Sequence, residues 1–308
     1  MVERMRVLIG YDGSPGGQAM LEDLRWAGLP AQVEAEVVAV AETWFPLPAS
    51  LGGVETGFAR ETLTGIDKAK RLAAEADERL RKLFPRWKIS YAAASGSPTA
   101  ILLGQAENWN ADLLVVGAHG LSGMAGIAGI RGLWLGNVAQ KIATEAHCPV
   151  RITRGRERAS GDPLRLIVGI DGSPGSEAAV GAVLERHWPA GCAVRIVNAL
   201  WNLPAPPVGL EQHETMALQI SEWVAHENAR IAGMVGQARE RLEARGLTVT
   251  VTVREADPKK LLIEEAVNWN AETIFLGARG RGRLERMLLG SVSAAVVQRA
   301  PCTVEIVR

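Results

Sequence analysis

The chain has 308 residues, of which 47% are hydrophobic and 22% charged, so its length suits two domains that each bury a core. Lys+Arg and Asp+Glu both number 34, and this zero net charge gives no reason to expect nucleic acid or an anionic membrane as the main partner. No stretch approaches 18 uninterrupted apolar residues, the N-terminus lacks a signal peptide's apolar region, and the three Cys form no CxxC pair. We therefore expect a reduced, soluble, cytoplasmic protein.

The first predicted element is a buried strand, the apolar run RVLIGY, which leads into Asp12 and the sequence DGSPG. Ligands of open parallel sheets bind beyond the carboxyl ends of the strands, and Asp12 follows such an end. The alternative is that Asp12 only helps to cap the next helix, because Asp-Gly-Ser-Pro is favourable turn and capping chemistry.

After the predicted fourth strand, the chain reads GAHGLSGMAGIAGIRGLWLGNVA. Gly117 and Gly120 enclose two residues, and fifteen more lead to Gly136, which opens a helix. The loop is rich in Gly, Ile, Met and Trp and has only Arg131 for positive charge. It could close over a different ligand, or pack against the other half of the chain with no ligand at all.

A polar segment, RGRERASGDP at 154–163, is predicted to be a linker, because the chain after it repeats the chain before it. Asp12 matches Asp171, NWNADLLVVGAHG matches NWNAETIFLGARG, and Gly136 matches Gly290, in the same order. A period of this length indicates a tandem duplication of whole domains. We expect domain 1 at 1–153 and domain 2 at 164–308, with six extra residues before Gly136 in domain 1.

The second copy alternates strands with helices. The predicted strands are LRLIVGID, CAVRIVNAL, LTVTVTVRE, ETIFLGA and CTVEIVR. The predicted helices are SPGSEAAVGAVLERHW, a long one from about Met216 to Arg245, DPKKLLIEEAVNWN, and one that Gly290 opens. This alternation is typical of an α/β fold with a doubly wound parallel sheet. The last strand of each copy is short, and its unpaired edge is expected to pair with its twin about a pseudo-twofold axis.

The loop after the fourth strand of the second copy reads GARGRGRLERMLLGSVS, with nine residues between Gly280 and Gly290. Glycines allow left-handed backbone conformations and close approach to a ligand, and successive N–H groups form an anion-binding concavity. The helix that Gly290 opens offers free N–H groups to a phosphate, with Ser291 and Ser293 as further donors. Four arginines add positive charge: Arg279, Arg281, Arg283 and Arg286. The alternative is a flexible loop with solvated arginines.

The pattern G-x2-G-x9-G-S, in a domain that opens with strand-Asp-Gly-Ser, resembles the universal stress protein family over nearly the whole chain. The resemblance implies two five-stranded sheets of order 3-2-1-4-5, as in the adenine-nucleotide alpha-hydrolase-like fold. It also implies an ATP site, with Mg²⁺ as an optional companion of the phosphates, in which Asp171 holds the ribose or adenine end. The residues that would line this site are Asp171, Ala199, Gly277, Arg279, Gly280, Gly290, Ser291, Val292 and Ser293.

By the same resemblance, the site residues of domain 1 would be Asp12, Val40, Gly117, Gly120 and Gly136. This domain departs from the pattern, because Gly-Asn-Val-Ala replaces Gly-Ser-Val-Ser and His119 stands in the place of Arg279. The six extra residues are also expected to reposition the helix that follows. We therefore expect domain 2 to hold ATP and domain 1 to bind it weakly or not at all.

The predicted function is a nucleotide-binding regulatory protein of the stress response, acting through a protein partner that the sequence does not name, with a homodimer as a further option. A slow ATPase or nucleotidyl-transferring enzyme of the same fold is an alternative, although neither HxGH nor SGGxDS occurs. A flavodoxin-like electron carrier is a third, although the loop after strand one has only DGSPG for an FMN phosphate. The five His residues lack metal-ligand spacing, so no metal site is expected.

Overall fold

The computed structural model describes residues 4–42, 55–118, 135–155, 162–200, 211–280 and 289–308, without the side chains of 55–63 and 211–218. We call the part up to residue 155 the N-terminal lobe and the part from residue 162 the C-terminal lobe.

Each lobe alternates strands with helices. The N-terminal lobe contains β1 Met5–Gly10, α1 Pro15–Asp23, a short 3₁₀ helix Leu24–Trp26, β2 Val33–Glu42, α2 Glu55–Leu83, β3 Lys88–Gly96, α3 Pro98–Asn108, β4 Leu113–Gly117, α4 Asn137–Glu145 and β5 Val150–Thr153. The C-terminal lobe contains β6 Arg165–Gly169, α5 Pro174–Leu184, β7 Ala193–Leu200, α6 Glu211–Glu243, β8 Thr248–Glu255, α7 Pro258–Asn268, β9 Thr273–Gly277, α8 Ser291–Arg299 and β10 Thr303–Val307.

All ten strands form one sheet, in the order β3-β2-β1-β4-β5-β10-β9-β6-β7-β8. Within each lobe the strands pair in parallel, so the predicted order 3-2-1-4-5 is confirmed in both copies. The strand order reverses at β1 and at β6, which opens a crevice at their carboxyl ends. Both candidate sites lie at these two positions.

The lobes meet where β5 pairs with β10 in antiparallel orientation, with Glu305 directly opposite Arg151. This confirms the predicted pairing of the two last strands. Arg151 and Glu305 differ by the same 154 residues as Gly136 and Gly290, so they are equivalent positions and the pseudo-twofold axis passes between them. We call this strand pair and its side chains the seam.

The core continues across the seam on one face of the sheet. A single apolar cluster on the face of α3, α4, α7 and α8 includes residues of both lobes, among them Leu114, Ile152, Ile274 and Val304. On the opposite face each lobe has a core of its own. No helix in the described parts of the chain is long and apolar enough to cross a membrane.

Two predicted helix boundaries were wrong. Helix α5 ends at Leu184 rather than at Trp188, because the next residues contact the other lobe: the His187 N–H donates to the Gly28 carbonyl at 2.8 Å, and Arg186 donates to the Ala27 carbonyl at 2.9 Å. Helix α6 begins at Glu211, before the predicted start at Met216, since the intervening residues are compatible with a helix.

Candidate functional site

A cavity of about 540 Å³ lies beyond the carboxyl ends of β6, β7 and β9, within the usual range for small-molecule sites. It brings together every residue predicted for the C-terminal site: Asp171, Ala199, Gly277, Arg279, Gly280, Gly290, Ser291, Val292 and Ser293. These residues come from four separate segments of the lobe, so only the folded sheet gathers them.

Asp171 lies between the turn that precedes α5 and the glycine loop that follows β9. One carboxylate oxygen, Oδ1, accepts the backbone N–H of Ser173 at 3.0 Å. Ser173, not Asp171, caps α5, because its hydroxyl oxygen accepts the N–H of Ser176 at 3.1 Å. The other oxygen, Oδ2, faces the glycine loop, since a Cβ built on Gly280 would lie 2.6 Å from it. The aspartate therefore orders the turn and still offers an oxygen at the cavity.

The glycines of the loop serve close packing. These glycines were expected from the sequence to allow a left-handed backbone. That expectation was wrong, because Gly277, Gly280 and Gly290 do not adopt a positive φ. A Cβ on Gly277 would lie 2.4 Å from the carbonyl carbon of Gly175, which real Cβ atoms do not tolerate. Glycine is required because the start of α5 packs directly on the end of β9.

The start of α8 opens onto the cavity. Gly290 is its N-cap residue and makes no side-chain capping bond, unlike Ser173 on α5 and Asp257 on α7. The Gly290 N–H donates to the Ala278 carbonyl at 2.7 Å, which fixes the entry of the helix. The N–H groups of the first turn have no intrahelical acceptor and are suited to bind an anion.

Of the two hydroxyls expected as phosphate donors, one is already used inside the protein. Ser293 is buried, and its hydroxyl donates to the Gly277 carbonyl at 2.7 Å, tying α8 to β9. Ser291 is exposed at the cavity and keeps its hydroxyl available. Arg279 is also exposed there, whereas Arg281, Arg283 and Arg286 lie outside the described residues.

An apolar wall completes the cavity, and the sequence reasoning had named only Ala199 from it. Its other members come from the ends of β6, β7, β8 and β9 and from the first turn of α7: Ile170, Val197, Leu200, Ala256, Pro258, Leu261, Leu262 and Leu276. The signal for it was the Leu-Leu pair that follows the predicted helix start DPKK. One end of the cavity is therefore polar and the other apolar.

The N-terminal lobe has a corresponding cavity of about 950 Å³ that includes Asp12, Val40, Gly117 and Gly136. Gly120 lies outside the described residues. The entry of the helix is the same as in the other lobe, because the Gly136 N–H donates to the Ala118 carbonyl at 2.8 Å. The expectation that the six extra residues reposition α4 was therefore wrong.

The chemistry of this cavity is different. Asp12 Oδ1 accepts both the N–H and the hydroxyl of Ser14, at 3.0 and 2.6 Å. Asn137 stands where Ser291 stands, and the cavity also contains Lys68 and Lys141. Burial raises the pKa of the Tyr11 phenol beside Asp12, and the charges of Glu75 and Asp12 raise it further, so Tyr11 stays protonated at neutral pH.

Among the described residues, no group of three or more His, Cys, Asp or Glu could hold a metal ion. The three cysteines, all among the described residues, are thiols and not disulfides.

The fold and the two cavities define a tandem α/β protein with one candidate ligand site at the switch point of each lobe. The family model of the universal stress protein family matches residues 3–154 and 164–308. The chain therefore belongs to the universal stress protein family.

The relatives agree with this assignment over the full length. A universal stress protein of Mycobacterium tuberculosis is 28% identical over 310 residues, covering 98% of this chain and 96% of the relative. A universal stress protein of Mycolicibacterium smegmatis is 26% identical over 313 residues, with the same coverage. The crystal structure of a universal stress protein from Archaeoglobus fulgidus matches 98% of this chain and 96% of its own with a TM-score of 0.61, and at 19% identity it shows the shared fold.

Proposed function

We propose that the C-terminal lobe binds ATP or a closely related adenine nucleotide and that the protein acts as a nucleotide-dependent regulator in the stress response. The observation that carries this proposal is the uncapped start of α8 at the polar end of a cavity whose opposite end is apolar. A nucleotide has the same division, with anionic phosphates at one end and a flat apolar base at the other.

Each part of the cavity has a role in this proposal. The first-turn N–H groups of α8, the Ser291 hydroxyl and the Arg279 guanidinium would hold the phosphates. Asp171 Oδ2 would accept a ribose hydroxyl, and the wall around Ala199 and Leu262 would cover the base. Mg²⁺ would be held by the phosphates rather than by the protein, since Asp171 is the one carboxylate among the described residues that line the cavity.

Fast hydrolysis is not part of the proposed function. Asp171 already accepts the Ser173 N–H, and no other described acidic or histidine side chain of the cavity is placed to orient an attacking water. We expect turnover well below about 1 per second, the low end of ordinary enzymes. A steady-state phosphate-release assay with purified protein tests this; faster release would favour the ATPase alternative.

Calorimetry with ATP and Mg²⁺ on the purified full-length chain tests the binding itself. We expect one site per chain, and mass spectrometry of the protein after denaturation should identify any adenine nucleotide retained through purification. Absence of adenine-nucleotide binding in the parent chain, or FMN in the visible spectrum, would contradict the proposal.

A further inference from the structure

Four charged side chains form a line across the seam. Asp23 Oδ2 lies 2.8 Å from Arg151 Nη2, Arg151 Nη1 lies 3.2 Å from Glu305 Oε2, and Arg186 Nη1 donates to the same Glu305 oxygen at 2.8 Å. The side chains of Arg151 and Glu305 are fully buried, and those of Asp23 and Arg186 are 15% and 7% exposed. The charges therefore alternate, negative, positive, negative, positive, from one lobe to the other.

The centre of this line lies on the pseudo-twofold axis. Arg151 and Glu305 are equivalent positions of the two lobes and stand opposite each other in the strand pair. If two N-terminal lobes paired through β5, Arg151 of one would lie opposite Arg151 of the other. If two C-terminal lobes paired through β10, Glu305 would lie opposite Glu305. The sum of the four charges would still be zero, but the central pair, buried from water, would repel.

Other contacts across the seam are also one-sided. Thr303 of β10 donates its hydroxyl to Asp23 Oδ1 at 2.9 Å, and the position equivalent to Thr303 is Pro149, which has no hydroxyl. Arg186 donates to the carbonyl of Ala27, its own equivalent in the other lobe. Each lobe thus supplies different members of the hydrogen bonds across the seam. A pair of identical lobes would lack the partners of Asp23 and Arg186.

From these contacts we infer that the seam is selective: each lobe accepts the opposite lobe, from the same chain or from a second copy, and rejects a copy of itself. Specificity of this kind requires a repulsive element against the wrong partner as well as attraction to the right one. The buried Arg151–Glu305 pair supplies both, because its attraction exists only between unlike lobes.

Two single variants of the full-length chain test this inference. Glu305→Arg places an arginine opposite Arg151, and Arg151→Glu places a glutamate opposite Glu305. We expect each variant alone to lose the seam, with a larger radius of gyration in small-angle scattering and a thermal midpoint lower by about 10 °C. The matched control is Lys82→Glu, which reverses the charge of one member of the exposed ion pair Lys82–Glu78. It should change neither the radius of gyration nor the thermal midpoint.

The decisive measurement is made on a mixture. The Glu305→Arg chain keeps a native N-terminal lobe and the Arg151→Glu chain keeps a native C-terminal lobe, so together they restore one complete seam between two chains. Native mass spectrometry of the two variants, one of them ¹⁵N-labelled and both coexpressed or refolded together, should show a 1:1 complex well above the level seen for labelled and unlabelled parent. Variants that keep the parent's radius, or a mixture without this complex, would overturn the inference.

Discussion

The long helices α2 and α6 occupy equivalent positions in the two lobes, but they contribute differently to the two cavities. The shared sequence ERL at 78–80 and 240–242 aligns Lys68 with Arg230. In the N-terminal lobe, Ala69 and Ala73 pack on Ala39 of β2, and the helix contributes Gly65 and Lys68 to the cavity.

In the C-terminal lobe, the larger Ile231 and Val235 occupy the positions of Ala69 and Ala73, and no described residue of α6 lines the cavity. Arg230 donates instead to Glu227 at 2.6 Å. The two lobes therefore share the sheet and the entry of the helix after the glycine loop. They differ in the long helix, because α2 adds the positive charge of Lys68 to the N-terminal cavity and no described residue of α6 lines the C-terminal one. The expected difference in ligand binding therefore has a structural source beyond the glycine loop.

The largest expected effect concerns the two helix starts. Gly290→Val should weaken ATP binding at least about 100-fold, because a Cβ at this position would lie 3.3 Å from the Ala278 carbonyl oxygen and 3.6 Å from the Gly280 nitrogen. The branched side chain would crowd the junction of the glycine loop with α8 and remove two or more bonds to phosphate. The backbone at Gly290 has φ −69°, which any residue adopts, so the substitution does not strain this backbone angle. Calorimetry gives the affinity, with Gly136→Val as the matched control that should leave it unchanged. Equal losses in both variants would mean that both lobes hold the nucleotide.

The second effect is on stability rather than on binding. Gly277→Ala should lower the free energy of unfolding by about 3 kcal/mol, since its Cβ would overlap the backbone of Gly175. Urea unfolding measures this. The control is Gly181→Ala inside α5, where a Cβ meets nothing within 4 Å and where alanine should raise stability by about 0.5–1 kcal/mol. A Gly277→Ala chain as stable as the parent would disprove the packing role of this glycine.

A third effect separates the two serines of α8. Ser291→Ala should weaken ATP binding at least about tenfold, because a hydrogen bond to a charged phosphate is worth about 1.5–3 kcal/mol. Asn137→Ala, at the same position of the N-terminal lobe, should leave the affinity unchanged. Ser293→Ala should lower thermal stability, since it removes the bond to the Gly277 carbonyl. If Ser291→Ala had no effect on calorimetric affinity, the hydroxyl would not contact the ligand.

The smallest effect would reveal a connection between the lobes. Arg154 of the N-terminal lobe donates to the Val297 carbonyl at 2.7 Å, near the end of α8, and Arg308 donates to Ala143 near the end of α4 at 2.6 Å. A cation at a helix C-terminus is worth about 0.3–1 kcal/mol. Arg154→Gln should therefore weaken ATP binding roughly two- to fivefold by loosening the helix that holds the phosphates.

Arg308→Gln makes the equivalent change on α4 and should not alter the ATP affinity. The thermal midpoints of the two variants are measured first, and calorimetry then gives their ATP affinities at a temperature where both are folded. This distinguishes a general loss of folding from an effect on α8. An equal reduction in both would contradict this assignment.

The sequence by itself determined what depends on local pattern and on repetition. The alternation of apolar runs with helical segments predicted the α/β fold, and the start of the predicted helix SPGSEAAVGAVLERHW at Ser173-Pro174 is confirmed, because capping involves residues three apart. The repeat of DGSPG and of the glycine loop predicted two domains of the same architecture. The resemblance of these motifs to the universal stress protein family implied the strand order and the residues that line the C-terminal cavity.

What only the tertiary structure decided involves residues far apart in the chain. The use of the Ser293 hydroxyl depends on a carbonyl sixteen residues away, and the need for glycine at 277 depends on Gly175. The entry of Lys68 into one cavity depends on how closely α2 packs against the sheet. The match of Arg151 with Glu305 exists only once two strands 154 residues apart lie side by side, because a buried charge is defined by the partner that folding brings to it.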